Sequence, residues 1–135
     1  VFRLEQQGRL LHIIPRGVND HRSRLVERTS ILDFPIKVQP LRGGSRGRSG
    51  LTTLEEIIRS LNGAVRAEVT MGIVPVNLLQ QHRSRLKVRD EEVRGVLRRL
   101  IFELGRDVSW WFYNDPGTVS FALNLQIVGP SSPVR

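Results

Sequence analysis

The hydrophobic positions in the second half of the chain predict a helix that leads directly into a two-stranded hairpin. Apolar side chains recur at i, i+3, i+4, i+7, i+8 and i+11, which places them in one stripe on a helix. The stripe consists of Val93, Val96, Leu97, Leu100, Ile101 and Leu104. Asp90 is the predicted N-cap, and Gly105 is the predicted left-handed residue that ends the helix. The aromatic run 110–113, the turn residues 114–117 and the alternating residues 119–128 then predict two paired strands.

A shorter stripe of the same spacing predicts another helix near the middle of the chain. Its members are Leu54, Ile57, Ile58 and Leu61. Thr52 and Thr53 each lie three residues before a glutamate, which is the spacing of a capping box. Asn62 and Gly63 are expected to stop the helix.

Short strands account for most of the remaining apolar residues. They are predicted at residues 2–4, 10–14, 36–38, 68–73 and 85–88, with a single helical turn after Pro75. The polar segment 16–28 is predicted to be an exposed excursion. The resulting order, β-β, β-α-β, β-α-β-β, favours an α+β fold in which two helices pack on small, mainly antiparallel sheets. A chain of 135 residues has about the length of one domain, so we expect residues 1–135 to form a single domain.

Two segments lack the apolar residues that a packed element needs. Residues 42–50, with the sequence RGGSRGRSG, consist of glycine, serine and arginine and are predicted to form a flexible loop. Residues 129–135 are predicted to form a C-terminal tail, in which Gly129, Pro130 and Pro133 limit strand pairing.

The composition is that of an ordinary globular domain. Hydrophobic residues make up 39% of the chain and charged residues 25%. No run approaches the roughly 20 apolar residues that span a bilayer, so we expect no membrane span. The chain has no cysteine, which excludes disulfides and thiol chemistry. It opens on Val1 rather than Met, from which we expect a processed or trimmed N-terminus.

The net charge of +8 is carried almost entirely by arginine. Arginine favours phosphate recognition, so nucleic acid is one hypothesis for the partner. The contacts would be Arg42, Arg46 and Arg48, in the 42–50 loop. The alternative is an arginine-rich codon usage that has no bearing on ligands, and the spread of the arginines along the whole chain favours it.

Residue patterns typical of catalysis or metal binding are weak in this chain. Residues 43–47 match the nucleophile-elbow pattern G-x-S-x-G, but the elbow requires a strand directly before the serine and a helix directly after it. Neither is predicted. His12, His21 and His82 have no partner at a metal-ligand spacing. The adjacent acidic pairs at the two helix starts are explained by the helix dipole. We therefore expect no catalytic residue, no metal, no cofactor and no enzymatic activity.

The segment 85–97, RLKVRDEEVRGVL, resembles the strand-then-helix segment of the short N-terminal domain found in secretins and TonB-dependent transducers. A hairpin follows this segment in both. The resemblance implies two helices between two small sheets. It also implies a module that docks onto other protein segments in the bacterial envelope, and it brings no catalytic residue with it.

A second resemblance covers more of the chain. Stretches throughout the sequence are similar to uncharacterised exported proteins of soil bacteria. These stretches are residues 12–15, 29–36, 72–78, 109–110, 113–117 and 122–125. The resemblance implies an export-type adaptor module and a periplasmic or extracellular location.

The aromatic run predicts an interaction surface. In an alternating strand, Trp110 and Phe112 lie on one face, and Trp111 and Tyr113 lie on the other. One pair belongs to the core, and the other is covered by a neighbouring element or offered to a partner. We take Trp111 and Tyr113 as the candidate interface residues.

The last strand is the second candidate for an interface. Residues 119–128 close the chain and are predicted to lie at a sheet edge, with Asn124 and Gln126 in an outward-facing set that lacks charge. Such an edge accepts a partner strand, so lysine at both positions is expected to weaken an oligomer and leave the fold intact. The alternative is that the preceding strand and the N-terminal hairpin already cover both edges. The leading hypothesis is a protein-interaction or structural module of the bacterial envelope that binds a protein partner or another copy of itself.

Overall fold

The computed structural model divides the chain into two compact units, Val1–Asp33 and Phe34–Arg135. The sequence predicts one domain, whereas each of these two units has its own set of internal contacts. The described residues are 2–7, 10–15, 17–19, 22–27, 30–37, 47–105, 107–115 and 120–129. The predicted tail, apart from Gly129, lies outside them.

The described residues contain helices and short, mostly antiparallel strands, which confirms the predicted α+β fold. The helices are α1 (Gly50–Ala64), α2 (Val76–Gln81) and α3 (Val93–Glu103), with a 3-10 helix at Ile31–Asp33. The strands are β1 (Phe2–Gln7), β2 (Leu10–Pro15), β3 (Gly17–Asn19), β4 (Leu25–Glu27), β5 (Pro35–Ile36), β6 (Arg48–Ser49), β7 (Glu68–Met71), β8 (Arg83–Ser84), β9 (Glu91–Glu92), β10 (Val108–Asp115) and β11 (Ser120–Ile127).

The first unit contains two antiparallel strand pairs. β1 pairs with β2, as the sequence predicts. β3 pairs with β4 inside segment 16–28, where the sequence predicts no strand. Alternation gives the first hairpin one face with the buried side chains of His12 and Ile14. The opposite face carries large apolar side chains that are each at least 61% exposed: Phe2, Leu4, Leu11 and Ile13.

The second unit is built around a three-stranded sheet in the order β10-β11-β7. β10 and β11 pair antiparallel over all eight residues of each strand. β7 runs parallel to the first half of β11, from Ser120 to Leu123. This arrangement makes β11 the central strand.

One face of this sheet belongs to the core. Val69, Leu123 and Leu125 lie on it, and each is at most 2% exposed. Arg94 of α3 lies over the ring of Trp110 on the same face, 6.0 Å from the ring centroid, which puts α3 on this side. Both predicted apolar stripes of α1 and α3 are buried throughout. The helices therefore cover this face and leave the other face of the sheet outside the core.

α1 begins earlier than its sequence predicts. The cap is Ser49 rather than a threonine, and Ser49 Oγ accepts a hydrogen bond from the Thr52 backbone N–H at 3.1 Å. Arg48 and Ser49 also pair with β8. The prediction of a flexible loop over residues 42–50 is therefore wrong for residues 48–50, because strand pairing and the helix cap order them. Residues 42–46 lie outside the described residues.

A buried ion pair connects Arg48, just before α1, with Glu56 inside the helix. Arg48 Nη1 contacts Glu56 Oε2, and the two side chains are only 7% and 15% exposed. Burial lowers the pKa of the Arg48 guanidinium from its ordinary value, because desolvation disfavours the charged form. Glu56 supplies the charge that makes this burial tolerable.

The N-terminus of α3 is not capped by the predicted residue. Asp90 is not the N-cap: it has a left-handed backbone with φ of 45°, and its carboxylate lies 3.4 Å from Lys37 Nζ. Glu92 occupies the cap position without a side-chain hydrogen bond. The first helical N–H, that of Val93, donates to the Phe34 carbonyl at 3.2 Å, because β9 pairs with β5 here. Gly105 has φ of 63°, which confirms the predicted left-handed residue after the helix.

The Asn62 side chain extends the hydrogen bonding of β7 where no backbone strand does. Asn62, near the end of α1, donates to the Val69 carbonyl at 2.8 Å and accepts from the Val69 N–H at 2.7 Å. Its amide group thus pairs with β7 as a strand residue would. The predicted strand at 85–88 is absent, although Leu86 and Val88 are buried as an extended alternation requires.

Replacement of Glu56 by alanine is expected to lower the free energy of unfolding by about 3 kcal/mol, because the charge of Arg48 would stay in a buried site and lose the carboxylate that balances it. Urea unfolding followed by far-UV circular dichroism measures this. Glu55→Ala is the matched control, since the neighbouring carboxylate is exposed and its loss should cost less than about 0.5 kcal/mol. Equal costs for the two variants would show that the pair contributes nothing to stability.

Candidate functional site

The open edge of the main sheet is β10, not β11. The prediction of an edge at residues 119–128 is wrong because β10 and β7 cover both sides of β11. The pairing continues beyond β7, where Gly72 N donates to Leu123 O at 2.8 Å and Leu125 N donates to Ile73 O at 2.9 Å. Among the described residues, no strand pairs with the outer side of β10.

The hydrogen bonds of β11 determine which backbone groups of β10 face outward. Leu123 and Leu125 direct their backbone groups towards β7, so the even-numbered residues of β11 direct theirs towards β10. The register pairs those residues with the odd-numbered residues of β10. The backbone N–H and C=O groups of the even-numbered residues, which include Phe112 and Asn114, therefore point away from the sheet.

Side chains of β10 alternate between the core and the outer face. Phe112 turns inward and stacks on Phe121, with ring centroids 5.2 Å apart. Trp111 and Tyr113 turn to the outer face, where they are 42% and 59% exposed. The alternation in the sequence correctly predicts this division into two pairs. It leaves two large aromatic side chains on an open face beside an open edge.

Asn124 is part of the structural framework. The side chain is 7% exposed, its Oδ1 accepts from the Ile73 N–H at 2.8 Å, and its Nδ2 donates to the Ala122 carbonyl at 3.3 Å. Gly72 makes room for it, because a Cβ at this position would collide with Asn124 Oδ1. The expectation that lysine at Asn124 leaves the fold intact is therefore wrong: a buried acceptor would be lost, and a charge would enter the site.

Gln126 lies on the same outer face as Trp111 and is exposed. It is opposite Ser109 at the start of β10. A substitution at Gln126 therefore changes the outer face without disturbing the bonds that Asn124 makes.

The three arginines predicted as nucleic-acid contacts are not gathered into a described site. Arg42 and Arg46 lie outside the described residues. Arg48 is buried in its ion pair with Glu56, so its guanidinium does not face solvent as a phosphate contact must. This part of the nucleic-acid hypothesis is wrong for Arg48.

A serine, a histidine and a carboxylate meet between β8 and α3. Ser84 Oγ donates to Glu103 Oε2 at 2.7 Å, and His82 Nε2 lies 3.2 Å from the same oxygen. Glu103 Oε1 accepts from the Arg85 N–H at 3.2 Å. The buried serine hydroxyl donates its hydrogen bond to the carboxylate rather than to the imidazole, so the group lacks the serine–histidine bond that activates a nucleophile. Its effect is to hold residues 82–85 against α3.

Beside this cluster lies a groove with a cavity volume of about 520 Å³. It is lined by Arg85, Leu86, Arg98, Arg99, Phe102 and Glu103. No pattern considered in the sequence predicts this groove. The available signal was the spacing of Arg98, Arg99 and Phe102 on α3, outside the apolar stripe, with the exposed position of Arg85 in the preceding segment.

Comparison with protein-family models, with curated proteins and with solved structures finds no match to this chain. The resemblance to the secretin and TonB-type short domain, and to exported proteins of soil bacteria, accordingly stays an expectation. Among the described residues, no helix is long and apolar enough to cross a membrane, and no cluster of three histidine or acidic side chains is placed to hold a metal ion.

Asn124→Ala is expected to lower the free energy of unfolding by about 1–3 kcal/mol, because the Ile73 N–H loses its acceptor in a part-buried position. Urea unfolding measures the loss. Gln126→Ala is the control on the same strand and should change stability by less than about 0.5 kcal/mol. A tolerated Asn124→Ala would contradict the framework role.

Proposed function

We propose that the chain is a non-enzymatic protein-interaction module that adds a strand from another polypeptide to the outer side of β10. The observation that carries the proposal is the outer edge of β10, which pairs with no strand of the described part of the chain and directs the backbone groups of Phe112 and Asn114 outward. An added strand would satisfy those groups, and this is the binding mode called β-augmentation.

The side chains of the edge are also suited to pairing. From Val108 to Asn114 the strand contains no charged residue and no proline, which are the usual guards of an exposed edge. Trp111 and Tyr113 stand on the adjoining outer face. Aromatic residues of these two types dominate binding energy in many protein interfaces, because they bury a large apolar area at a small cost in side-chain entropy.

The occupant we propose is a second copy of this chain. Two β10 edges that meet antiparallel across a two-fold axis present identical backbone groups to each other and join two three-stranded sheets into one. Each copy carries a charge of +8, so the copies repel at low salt. Salt screens this repulsion but does not weaken apolar or backbone contacts, so self-association should strengthen as salt rises.

The location we propose is periplasmic or extracellular, and it rests on the family resemblance alone.

The open apolar face of the first hairpin, which carries Phe2, Leu4, Leu11 and Ile13, gives separate support to an interaction role. Contiguous exposed apolar surface of this kind is uncommon on monomeric proteins without a partner.

Asn114→Pro is expected to abolish self-association and to leave the fold intact. Proline removes the outward N–H of an edge strand and blocks a partner strand, while the bonds from β10 to β11 are retained. Sedimentation equilibrium over a range of protein concentrations measures the association constant. Asn114→Thr is the matched control, because threonine keeps the N–H and suits a strand.

The side-chain contribution is tested by Trp111→Ala, for which we expect at least about a tenfold weaker association. Phe102→Ala removes an exposed aromatic residue from α3 and should have no effect on association. A parent protein that stays monomeric at all concentrations, or an Asn114→Pro variant that associates as the parent does, would contradict the proposal.

A further inference from the structure

We propose that the groove between residues 85–86 and the C-terminal half of α3 binds single-stranded nucleic acid, with phosphates on Arg85 and Arg99 and a base on Phe102. This site is separate from the β10 edge, and its lining does not include Arg48. The site places part of the positive charge of the chain, on Arg85, Arg98 and Arg99, around one groove.

The cavity has a suitable size and a mixed lining. Its volume of about 520 Å³ falls within the range of small-ligand sites, roughly 300–1,000 Å³. Leu86, 8% exposed, supplies apolar surface, and Arg85, Arg98 and Arg99 supply positive charge around it. One nucleotide unit combines the two properties that such a lining recognises, an anionic phosphate and a planar base.

Glu103, the acidic residue of the lining, is occupied elsewhere. Its Oε2 accepts from Ser84 Oγ and lies beside His82, and its Oε1 accepts from the Arg85 N–H. The carboxylate is therefore committed to the 82–85 segment, and it holds the backbone that carries Arg85 against α3. The Arg85 side chain itself is exposed.

The guanidinium of Arg99 is held in place before any ligand arrives. Its Nη1 bonds to Glu91 Oε2, and its Nη2 donates to the Lys87 carbonyl at 3.0 Å. A fixed guanidinium loses less side-chain entropy on binding than a free one. Each Nη atom carries two N–H groups and uses one of them in these bonds, so the guanidinium keeps N–H donors for a phosphate oxygen.

Phe102 distinguishes a nucleic acid from a simple anion. Its ring is 61% exposed and lies one turn of α3 from Arg98 and Arg99. A base stacked on an exposed ring next to guanidinium groups is the usual arrangement in proteins that bind single strands without sequence preference. A duplex has no unstacked base to offer, so single strands are the favoured ligand.

The test is fluorescence anisotropy with a labelled oligouridylate of about twelve nucleotides, a length within the range that single-strand sites cover. We expect Phe102→Ala to weaken binding by about fivefold or more through loss of stacking. Arg85→Gln should weaken binding and reduce the slope of log K against log salt by about 0.7, the contribution of one phosphate contact on a single strand. Circular dichroism verifies that both variants, which change exposed side chains, keep the fold.

Arg59→Gln is the matched control, because it removes one exposed positive charge on α1, outside the groove lining. It should bind as the parent does. The proposal is overturned if the parent does not bind the oligouridylate, if Arg59→Gln loses as much affinity as Arg85→Gln, or if a duplex of the same length binds as tightly as the single strand. Trp111→Ala should bind the oligouridylate normally, so failure at this site and failure of the β10 interface are distinguishable.

Discussion

The second unit depends on one constraint: the three-stranded sheet has a single face on the core side, and α1 and α3 cover it. Because strand side chains alternate, placing Phe112, Leu123 and Leu125 on that face commits Trp111 and Tyr113 to the other. The same alternation governs the backbone. The bonds from β10 to β11 use every second residue, and the remaining backbone groups are left at the edge. The core thus determines both parts of the proposed interaction surface.

Polar side chains, rather than long ladders, hold the irregular segments around this core. The Asn62 and Asn124 side chains form hydrogen bonds to backbone groups of residues 69 and 73, which strand pairing does not satisfy. Glu56 holds the segment before α1 through the buried guanidinium of Arg48. Glu103 holds residues 82–85, before α3, by accepting hydrogen bonds from the Ser84 hydroxyl and the Arg85 N–H. These contacts keep short strands of two residues in place and also shape the arginine groove.

The sequence predicts the parts of this structure that depend on local periodicity. Both helix stripes, the two hairpins and the opposite facing of Trp111 and Trp110 follow from spacing alone. Strand order does not, because the position of β7 beside β11 is a long-range pairing with no local signature. The sequence therefore wrongly predicts β11 as the edge strand. The predicted caps are wrong for a similar reason. The Phe34 carbonyl that accepts from Val93 lies far away in sequence, and Ser49, which caps α1 through a local bond to Thr52, lies in a strand that pairs with β8. The groove joins residues 85 and 102, whose proximity depends on Glu103.

The central claim is that no described strand covers the outer side of β10 and that the N–H groups of Phe112 and Asn114 are available to a partner. Hydrogen exchange of individual amides measures this most directly. In dilute protein, the amides of Phe112 and Asn114 should exchange at least about tenfold faster than those of Trp111 and Tyr113, which bond to β11. At high protein concentration the two sets should become similarly protected. If Phe112 and Asn114 are already as protected as Trp111 and Tyr113 in dilute protein, the edge is covered and the account is wrong.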